Sequence, residues 1–305
     1  MRILIAGGSG FLGTHLATAL TAAGHDIGIL SRHADLGFAS RRPGSRTLAW
    51  VPDGTAGPWA EACGTIDAII NLAGASIGEG RWSPARKAAL VASRVNATRS
   101  LVRFVEQASP RPSLLINASA IGFYGDRGDA VLAEDATAGK DFLATLCRDW
   151  ETEARRAQSV ETRVVLLRTG LVLDPRGGAL PRMLLPFTLF AGGPFGSGRQ
   201  FVSWIHRDDW VALVLWLLTA RDVAGPVNAT APTPVTNAEF AGALGRALHR
   251  PSWLPAPACA LKLALGEMAG PLLLFSQRVV PDCASRAGFS FGYATLERAF
   301  SNLLT

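Results

Sequence analysis

Short apolar runs recur through the first 170 residues of the chain, and segments with helical spacing of apolar residues separate them. The runs predict strands at 2–6, 26–32, 46–50, 68–74, 113–118 and 163–168. The intervening segments predict helices at 14–20, at 84–107 with Ser83 as cap and Pro84 first, and at 141–157. Strands that alternate with helices indicate an α/β fold, in which helices cover both faces of a parallel sheet.

A glycine-rich loop joins the first predicted strand to the first predicted helix, with the sequence Gly-Gly-Ser-Gly-Phe-Leu-Gly. In this context Gly7 makes the tight turn, Gly10 lets the backbone approach a pyrophosphate and Gly13 lets the helix pack closely. The free N–H groups of the helix then face the phosphates, so the loop predicts a Rossmann-like, doubly wound sheet that binds a dinucleotide. An ordinary glycine-rich turn is the alternative. The predicted contacts are Gly7, Ser9, Gly10, Phe11, Leu12 and Gly13.

The end of the second predicted strand indicates which dinucleotide is bound. NAD-binding proteins place a carboxylate there for the ribose 2′-hydroxyl, whereas NADP-binding proteins use Arg to hold a 2′-phosphate. This chain carries Ser31 and Arg32 at that point, and Asp26 lies at the other end of the strand. The Arg32 guanidinium, with the Ser31 hydroxyl as a second donor, therefore predicts NADP(H), and a solvated surface arginine is the alternative.

The fourth predicted strand ends in Asn-Leu-Ala-Gly at 71–74. These residues are small enough for the adenosine or the nicotinamide ribose to pass beside them. Leu72, Ala73 and Gly74 are therefore further predicted cofactor contacts.

The alternation of strands and helices fades beyond residue 170, where proline and glycine increase and loops lengthen. Residues 210–218 are typical of a buried helix, which Asp208 and Asp209 could cap. The predicted division is an NADP-binding Rossmann domain at 1–170, to which 204–230 returns, and a smaller C-terminal substrate-side region at 171–305 with a tail unit at about 250–305.

Composition narrows the classes of function. The 305 residues are 49% apolar with a net charge of +6, and 27 of the 30 basic residues are arginines scattered singly. Scattered cations argue against nucleic acid and fit an anionic small molecule. The four cysteines lie far apart with no histidine at ligand spacing, which predicts no metal site. No stretch is long and apolar enough to span a membrane and the N-terminus does not resemble a signal peptide, so we expect no membrane partner and a cytoplasmic protein.

Further motifs lie in the order found in one enzyme family. With the glycine loop and the 71–74 turn, Tyr-Gly-Asp at 124–126 and the segment 204–209 resemble the extended short-chain dehydrogenase/reductases. Segments similar to an atypical epimerase-like subfamily lie at 80–82, 93–95, 192–200, 250–251, 266–267, 277–279 and 288–289. The resemblance covers essentially the whole chain, including a C-terminal domain of unknown function. It implies an oxidoreductase related to the NAD-dependent epimerases and dehydratases.

The catalytic pair of that wider family is absent by count. The family uses Tyr-x-x-x-Lys on a helix, where the lysine lowers the pKa of the tyrosine so that it can act as acid and base. The only tyrosines here are Tyr124 and Tyr293, and neither has a lysine four residues later. Matching the helix at 141–157 to the family helix through Glu151 puts Leu143 at the tyrosine position and Cys147 at the lysine position. We interpret Cys147 as a small buried hydrophobe rather than a reactive thiolate.

Two residues near the fifth predicted strand are the candidate catalytic groups. The Ser or Thr of the family falls on Ala120, with Ser119 adjacent as a substitute. Tyr124 is the only phenol in the loop after this strand, and a packing role is its alternative.

Substrate contacts are predicted at Arg81, Trp82, Arg94 and Gln200. Two arginines flanking a tryptophan suit a planar or anionic ligand, and Gln200 ends a loop with four glycines. Packing within the subfamily, or a homodimer contact, is the alternative for these segments.

The leading hypothesis is an NADP(H)-dependent, epimerase- or dehydratase-like oxidoreductase that acts on an unidentified small substrate without the Tyr-x-x-x-Lys pair. The alternative is a non-catalytic NADP(H) sensor or binding module. Both depend on the glycine loop and on Arg32.

Overall fold

The computed structural model describes residues 1–32 and 45–304. Its strands are β1 (Arg2–Ala6), β2 (Asp26–Ser31), β3 (Ser45–Ala49), β4 (Ala68–Asn71), β5 (Leu114–Ala120), β6 (Val131–Leu132), β7 (Arg163–Thr169), β8 (Leu171–Leu173), β9 (Phe201–Val202), β10 (Trp204–His206), β11 (Gly225–Ala229), β12 (Val235–Thr236) and β13 (Arg278–Val279). Its helices are α1 (Phe11–Ala22), α2 (Gly57–Cys63), α3 (Pro84–Gln107), α4 (Phe142–Arg155), α5 (Leu180–Thr188), α6 (Arg207–Thr219), α7 (Asn237–Leu248), α8 (Ala258–Leu265), α9 (Asp282–Arg286) and α10 (Leu296–Leu304).

Within the described residues the central sheet has seven parallel strands in the order β3–β2–β1–β4–β5–β7–β11. The predicted doubly wound sheet is therefore confirmed. The strand order reverses between β1 and β4, and ligands of such sheets bind at the carboxyl ends of the strands beside this reversal. Because Ala6 pairs with Asn71 in the register of β1 and β4, the glycine loop and the 71–74 turn leave the sheet side by side.

Apolar side chains on both faces of the sheet form its core. Ile3 and Ile5 of β1 lie on one face and pack in the cluster that contains the buried residues of α1 and α6. Leu4 lies on the opposite face, with α2, α3 and α4. Successive side chains of the strand thus point to opposite faces and are buried on both, which is typical of a parallel sheet covered by helices on both sides. Helix α3 begins as predicted, with Ser83 Oγ accepting the N–H of Arg86 at 3.2 Å.

Helix α6 begins three residues earlier than predicted. The Nδ1 atom of His206 accepts the N–H of Asp208 at 3.0 Å and so caps the helix. The carboxylate of Asp209 instead accepts the N–H groups of Gly292 and Tyr293, at 2.8 and 2.9 Å. The prediction that Asp208 and Asp209 cap this helix was wrong, because the aspartates lie in its first turn and one of them binds the tail of the chain.

The later part of the chain builds a separate apolar cluster from α5, α7 and α10. Its tail also contacts the first half directly, since β13 pairs with β6 and Gln277 Nε2 donates to Gly125 O at 3.1 Å. Strand β11 lies at an edge of the central sheet. The domain division at residue 170 stays a prediction. Across 1–32 and 45–304 no helix is long and apolar enough to cross a membrane, and no cluster of His, Cys, Asp or Glu could hold a metal ion.

Candidate cofactor and substrate site

Two glycines of the loop after β1 are required by the backbone itself. Gly7 has φ of +79°, and a Cβ there would lie 2.7 Å from the carbonyl C and O atoms of Leu72. A Cβ on Gly13 would lie 2.2 Å from Gly7 O. Gly10 differs, since it is exposed and, within the described part of the chain, its Cβ would meet only Gly7 O, at 3.3 Å. Gly7 and Gly13 therefore permit the close approach of strand, turn and helix, while the outer side of Gly10 is open.

The N-terminus of α1 fits a bound diphosphate. Gly10 is its N-cap, none of the described side chains caps the helix, and no acidic residue lies in its first turn. The first N–H groups of a helix have no partner within the helix, and its positive dipole end attracts anions. With no carboxylate or hydroxyl supplied by a cap, these donors are suited to phosphate oxygens.

Arg32 and Ser31 lie at the same edge of the sheet as the glycine loop. Strands β1 and β2 are parallel, and Leu30 pairs with Ala6, so both strands end together. Arg32 follows β2 directly and is exposed, whereas Ser31 is half-buried. The position suits a group that reaches a ribose phosphate, and the residues that follow, 33–44, lie outside the described part of the chain.

The 71–74 turn is held by a buried asparagine. Asn71 Nδ2 donates to Thr98 Oγ1 at 2.9 Å and to Asn117 Oδ1 at 2.7 Å. Its Oδ1 accepts the N–H of Ala73 at 3.1 Å, which closes the turn. The backbone of Leu72 is thereby held against Gly7. The turn was predicted to lie at the site, whereas its hydrogen bonds depend on Thr98 and Asn117, which are distant in sequence.

Ser119, the first candidate catalytic residue, belongs to a buried ionic network. Its hydroxyl donates to Glu151 Oε1 at 2.8 Å. Arg168 holds the same carboxylate with two further bonds, from Nε to Oε1 at 2.8 Å and from Nη2 to Oε2 at 2.9 Å. The side chains of the pair are only 3% and 4% exposed, so the carboxylate fixes the Ser119 hydroxyl away from solvent.

Tyr124, the second candidate, has no exposed surface. Its hydroxyl donates to Asn228 Oδ1 at 2.7 Å and accepts from Arg168 Nη1 at 3.0 Å. Burial raises the pKa of the phenol above its ordinary value. In this conformation the side chain cannot reach a substrate. Its burial fits a role in packing, which was the alternative to catalysis. Arg168 was not among the predicted site residues, although an arginine after four apolar strand residues is a signal of a buried charge that needs a partner.

The positions matched to the catalytic residues of the wider family are apolar here. Leu143 and Cys147 of α4 are 6% and 2% exposed, and they lie in one cluster with Trp82 and Met268 against which Ala120 packs. Burial raises the pKa of the Cys147 thiol to about 12, so it is neutral near pH 7. This agrees with the interpretation of Cys147 as a buried hydrophobe.

The four predicted substrate contacts occupy two places. Arg81 donates to the carbonyls of Leu263 and Ala264 at the end of α8, at 3.1 and 3.0 Å. Trp82 is 8% exposed, and its indole N–H donates to the carbonyl of residue 77. Arg94 is also buried and lies beneath the 71–74 turn, with its Cζ 3.1 Å from the position of a Cβ on Gly74.

Gln200 lies in the other place. Its Nε2 donates to Phe195 O at 3.0 Å and to Leu273 O at 3.1 Å, which ties the 192–200 loop to the tail of the chain. The structure thus groups Arg81, Trp82 and Arg94 around the segment that follows β4, while Gln200 joins two loops. A ligand role for each of the four stays a prediction.

Comparison with known proteins identifies the class. The model of the NAD dependent epimerase/dehydratase family matches residues 3–229, and a domain of unknown function, DUF1731, matches residues 256–303. The chain therefore belongs to the NAD dependent epimerase/dehydratase family, which confirms the resemblance found in the sequence.

Particular relatives match over nearly their whole length. The epimerase family protein Mb2239 of Mycobacterium bovis is 43% identical over 99% of this chain and 97% of its own. The epimerase family protein YfhF of Bacillus subtilis is 40% identical over 100% and 98%. The crystal structure of human epimerase family protein SDR39U1 with NADPH superimposes with a TM-score of 0.89, at 34% identity, over 100% of this chain and 99% of the human one.

Proposed function

We propose that this chain is an NADP(H)-dependent oxidoreductase of the epimerase/dehydratase type that acts on a small substrate without a Tyr–Lys pair. The observation that carries the proposal is the shared carboxyl edge of β1, β2 and β4, where the glycine loop, Arg32 and the 71–74 turn come together. The human relative that was crystallised with NADPH supports the choice of cofactor.

In this proposal the cofactor is bound by backbone and by one cation. The diphosphate binds the N–H groups of the loop at 7–13, Arg32 and Ser31 bind the 2′-phosphate, and residues 72–74 line the ribose. When bound, NADP(H) supplies hydride transfer. The open outer side of Gly10 and the uncapped α1 are the features that fit a phosphate group.

The protein's own contribution to proton transfer is small in this proposal. Leu143 and Cys147 stand at the positions of the family's tyrosine and lysine, and neither side chain exchanges a proton near pH 7. Ser119 and Tyr124 are both buried, and the hydroxyl of each already donates a hydrogen bond inside the protein, so neither is assigned the proton. Water or the substrate would then carry the proton, and the loss of general acid–base help costs roughly 10²–10⁴-fold in rate.

A second candidate is a non-catalytic NADP(H) sensor or binding module. The apolar cluster around Leu143 and Cys147 favours it, because a protein that only binds the dinucleotide needs no acid or base there. Both candidates require NADP(H) binding, and they differ in turnover.

The first experiment measures binding of NADPH and NADH by calorimetry to the wild-type chain and to Arg32→Ala. We expect NADPH to bind more tightly, and the variant to lose that preference because the 2′-phosphate loses its guanidinium. Arg2→Ala is the matched control, since Arg2 is also exposed but is the first residue of β1 and so lies at the amino ends of the strands, away from the glycine loop. Failure of both dinucleotides to bind would overturn both candidates.

The second experiment follows NADPH oxidation with a broad panel of carbonyl compounds. Turnover that depends on the chain supports the oxidoreductase. Tight NADPH binding with no turnover across the panel supports the sensor instead.

A further inference from the structure

The segment that follows β4 carries an unusual row of side-chain contacts. Each of its four consecutive carbonyl groups, from residue 75 to residue 78, accepts a hydrogen bond from a side chain of another segment. The pairs are Arg94 Nη2 to Ala75 O at 2.9 Å, Arg86 Nη2 to Ser76 O at 2.5 Å, Trp82 Nε1 to Ile77 O at 3.1 Å, and Arg182 Nη1 to Gly78 O at 3.1 Å. Three guanidinium groups, here called the arginine cluster (Arg86, Arg94 and Arg182), therefore converge on one loop.

The arginine cluster has no carboxylate partner among the described residues. Other arginines of the chain do form ion pairs, such as Arg99 with Glu153. After burial itself, the positive charge of Arg86 also lowers the pKa of Arg94, so the nearby charge is of the same sign. The partners within the cluster's reach are thus neutral carbonyl oxygens, which compensate a full positive charge only in part.

Burial makes this lack of a counter-charge costly at Arg94. The residue is 7% exposed, and among residues 1–32 and 45–304 its Nε finds no hydrogen-bond partner; the buried Nε of Arg86 likewise finds none there. The Cζ of this guanidinium lies 5.3 Å from the centroid of the Trp150 ring. Burial lowers the pKa of Arg94 to about 10, so the group is still charged near pH 7. A buried charge without an opposite charge costs several kcal/mol, which an anion at the cluster would offset.

The cluster also lies where a substrate is expected. The 75–78 loop continues directly from the 71–74 turn, at the carboxyl end of β4 beside the reversal of strand order. The nearby Lys87 is paired with Glu267 at 2.5 Å, so that carboxylate is already engaged. The glycine loop and Arg32 already account for the phosphates of the cofactor, and the arginine cluster is additional to them.

We propose that the arginine cluster binds an oxyanion group of the substrate, so that the substrates of this protein are carboxylated or phosphorylated small molecules. The proposal rests on the proposed function for the site's place beside the dinucleotide. It assigns ligand binding to Arg86 and Arg182, which were not among the predicted substrate contacts, and it gives Arg94 an oxyanion as its ligand.

The test uses inorganic phosphate as the probe, titrated by calorimetry into the full chain saturated with NADPH near neutral pH. We expect phosphate to bind the wild type and to bind Arg94→Leu at least about tenfold more weakly, since a charge-assisted hydrogen bond is worth about 1.5–3 kcal/mol. Arg182→Gln tests an exposed member of the cluster, whose loss does not disturb the core. Arg103→Leu is the matched control, because it removes the same charge from an exposed position on α3. Thermal unfolding of each variant shows whether it is folded.

Two results would overturn the proposal. If phosphate does not bind the wild type, or binds all variants equally, the arginines only hold the 75–78 loop. If phosphate binds the NADPH-free chain but not the saturated one, and Arg94→Leu weakens NADPH itself, the oxyanion is a phosphate of the cofactor. Failure of the proposed function gives a different result, because NADPH then does not bind before any phosphate is added. In that case the titration of the NADPH-free chain still shows whether the arginine cluster binds phosphate.

Discussion

Alanine substitutions at Gly10 and Gly7 separate cofactor binding from folding, although the two glycines are three residues apart in one loop. Gly10 has φ of −76° and ψ of 177°, which alanine adopts freely, and its Cβ would make one tight contact at 3.3 Å. A glycine-to-alanine change at a compatible position stabilises a protein by about 0.4–1 kcal/mol through the unfolded chain, and this offsets the contact. We therefore expect the cofactor-free stability of Gly10→Ala to lie within about 1 kcal/mol of wild type.

Gly7→Ala should behave in the opposite way. Its φ of +79° is a left-handed conformation that costs a residue with a side chain about 1–3 kcal/mol, and the 2.7 Å approach to the carbonyl of Leu72 costs about as much again. An unfolding entropy of about 2.1 cal/mol/K per residue over 305 residues makes 1 kcal/mol equal to about 1.6 °C in Tm. The expected loss of about 2–6 kcal/mol then lowers Tm by about 3–9 °C.

Differential scanning of the cofactor-free and NADPH-saturated chains checks both expectations. NADPH at a hundred times its Kd stabilises the wild type by about 2.7 kcal/mol, or about 4 °C. The added methyl of Gly10→Ala fills the open side on which the phosphates would bind, so this shift should vanish. Retention of the full NADPH shift by Gly10→Ala, or equal loss of cofactor-free stability in both variants, would refute the reasoning.

Three further outcomes follow from the buried groups. Glu151→Gln leaves the Arg168 guanidinium buried without its carboxylate, so the variant's free energy of unfolding in urea should be about 3–5 kcal/mol lower than that of the wild type. A decrease of less than about 1 kcal/mol would contradict the ionic network. Burial lowers the pKa of His206 below 6.5, so on acidification the imidazole protonates in the unfolded chain before it does so in the folded one. Below pH 6.5 the free energy of unfolding should therefore fall, by at most about 1.4 kcal/mol per pH unit, until the folded imidazole also protonates. His206→Gln should flatten this slope in urea unfolding, and an unchanged slope would argue against the assignment. Iodoacetamide should modify the exposed Cys259 and leave Cys147 unmodified in the native chain, as read by mass spectrometry, whereas rapid labelling of Cys147 would show a reactive thiolate.

The sequence predicted the first half of the fold well because its signals are local. The apolar runs of β1, β2, β5 and β7 and the Ser83–Pro84 start of α3 depend on neighbouring residues only, and each element lies within a few residues of its predicted bounds. The start of α6 was misplaced because the capping atom belongs to His206, a side chain that does not usually cap helices. Whether His206 or Asp209 caps the helix depended on the tail of the chain, because Gly292 of the tail donates its N–H to the carboxylate of Asp209.

The residues of the candidate site likewise fall into those that local sequence identifies and those that only the fold brings together. The glycine loop and Arg32 could be identified because their spacing after a strand has a local meaning. The pair of Glu151 and Arg168 could not, since its members lie 17 residues apart on different elements. The arginine cluster was missed for the same reason, because Arg182 reaches the loop after β4 from 104 residues away.

By itself, the sequence determined an α/β chain with a dinucleotide loop after its first strand and no Tyr-x-x-x-Lys pair. Only the tertiary structure decided that Tyr124 is buried in an ionic network and that three arginines converge on one loop without a carboxylate. The physical reason is that strand, turn and helix preferences act between neighbours along the chain, whereas burial and charge compensation depend on segments that meet only after folding.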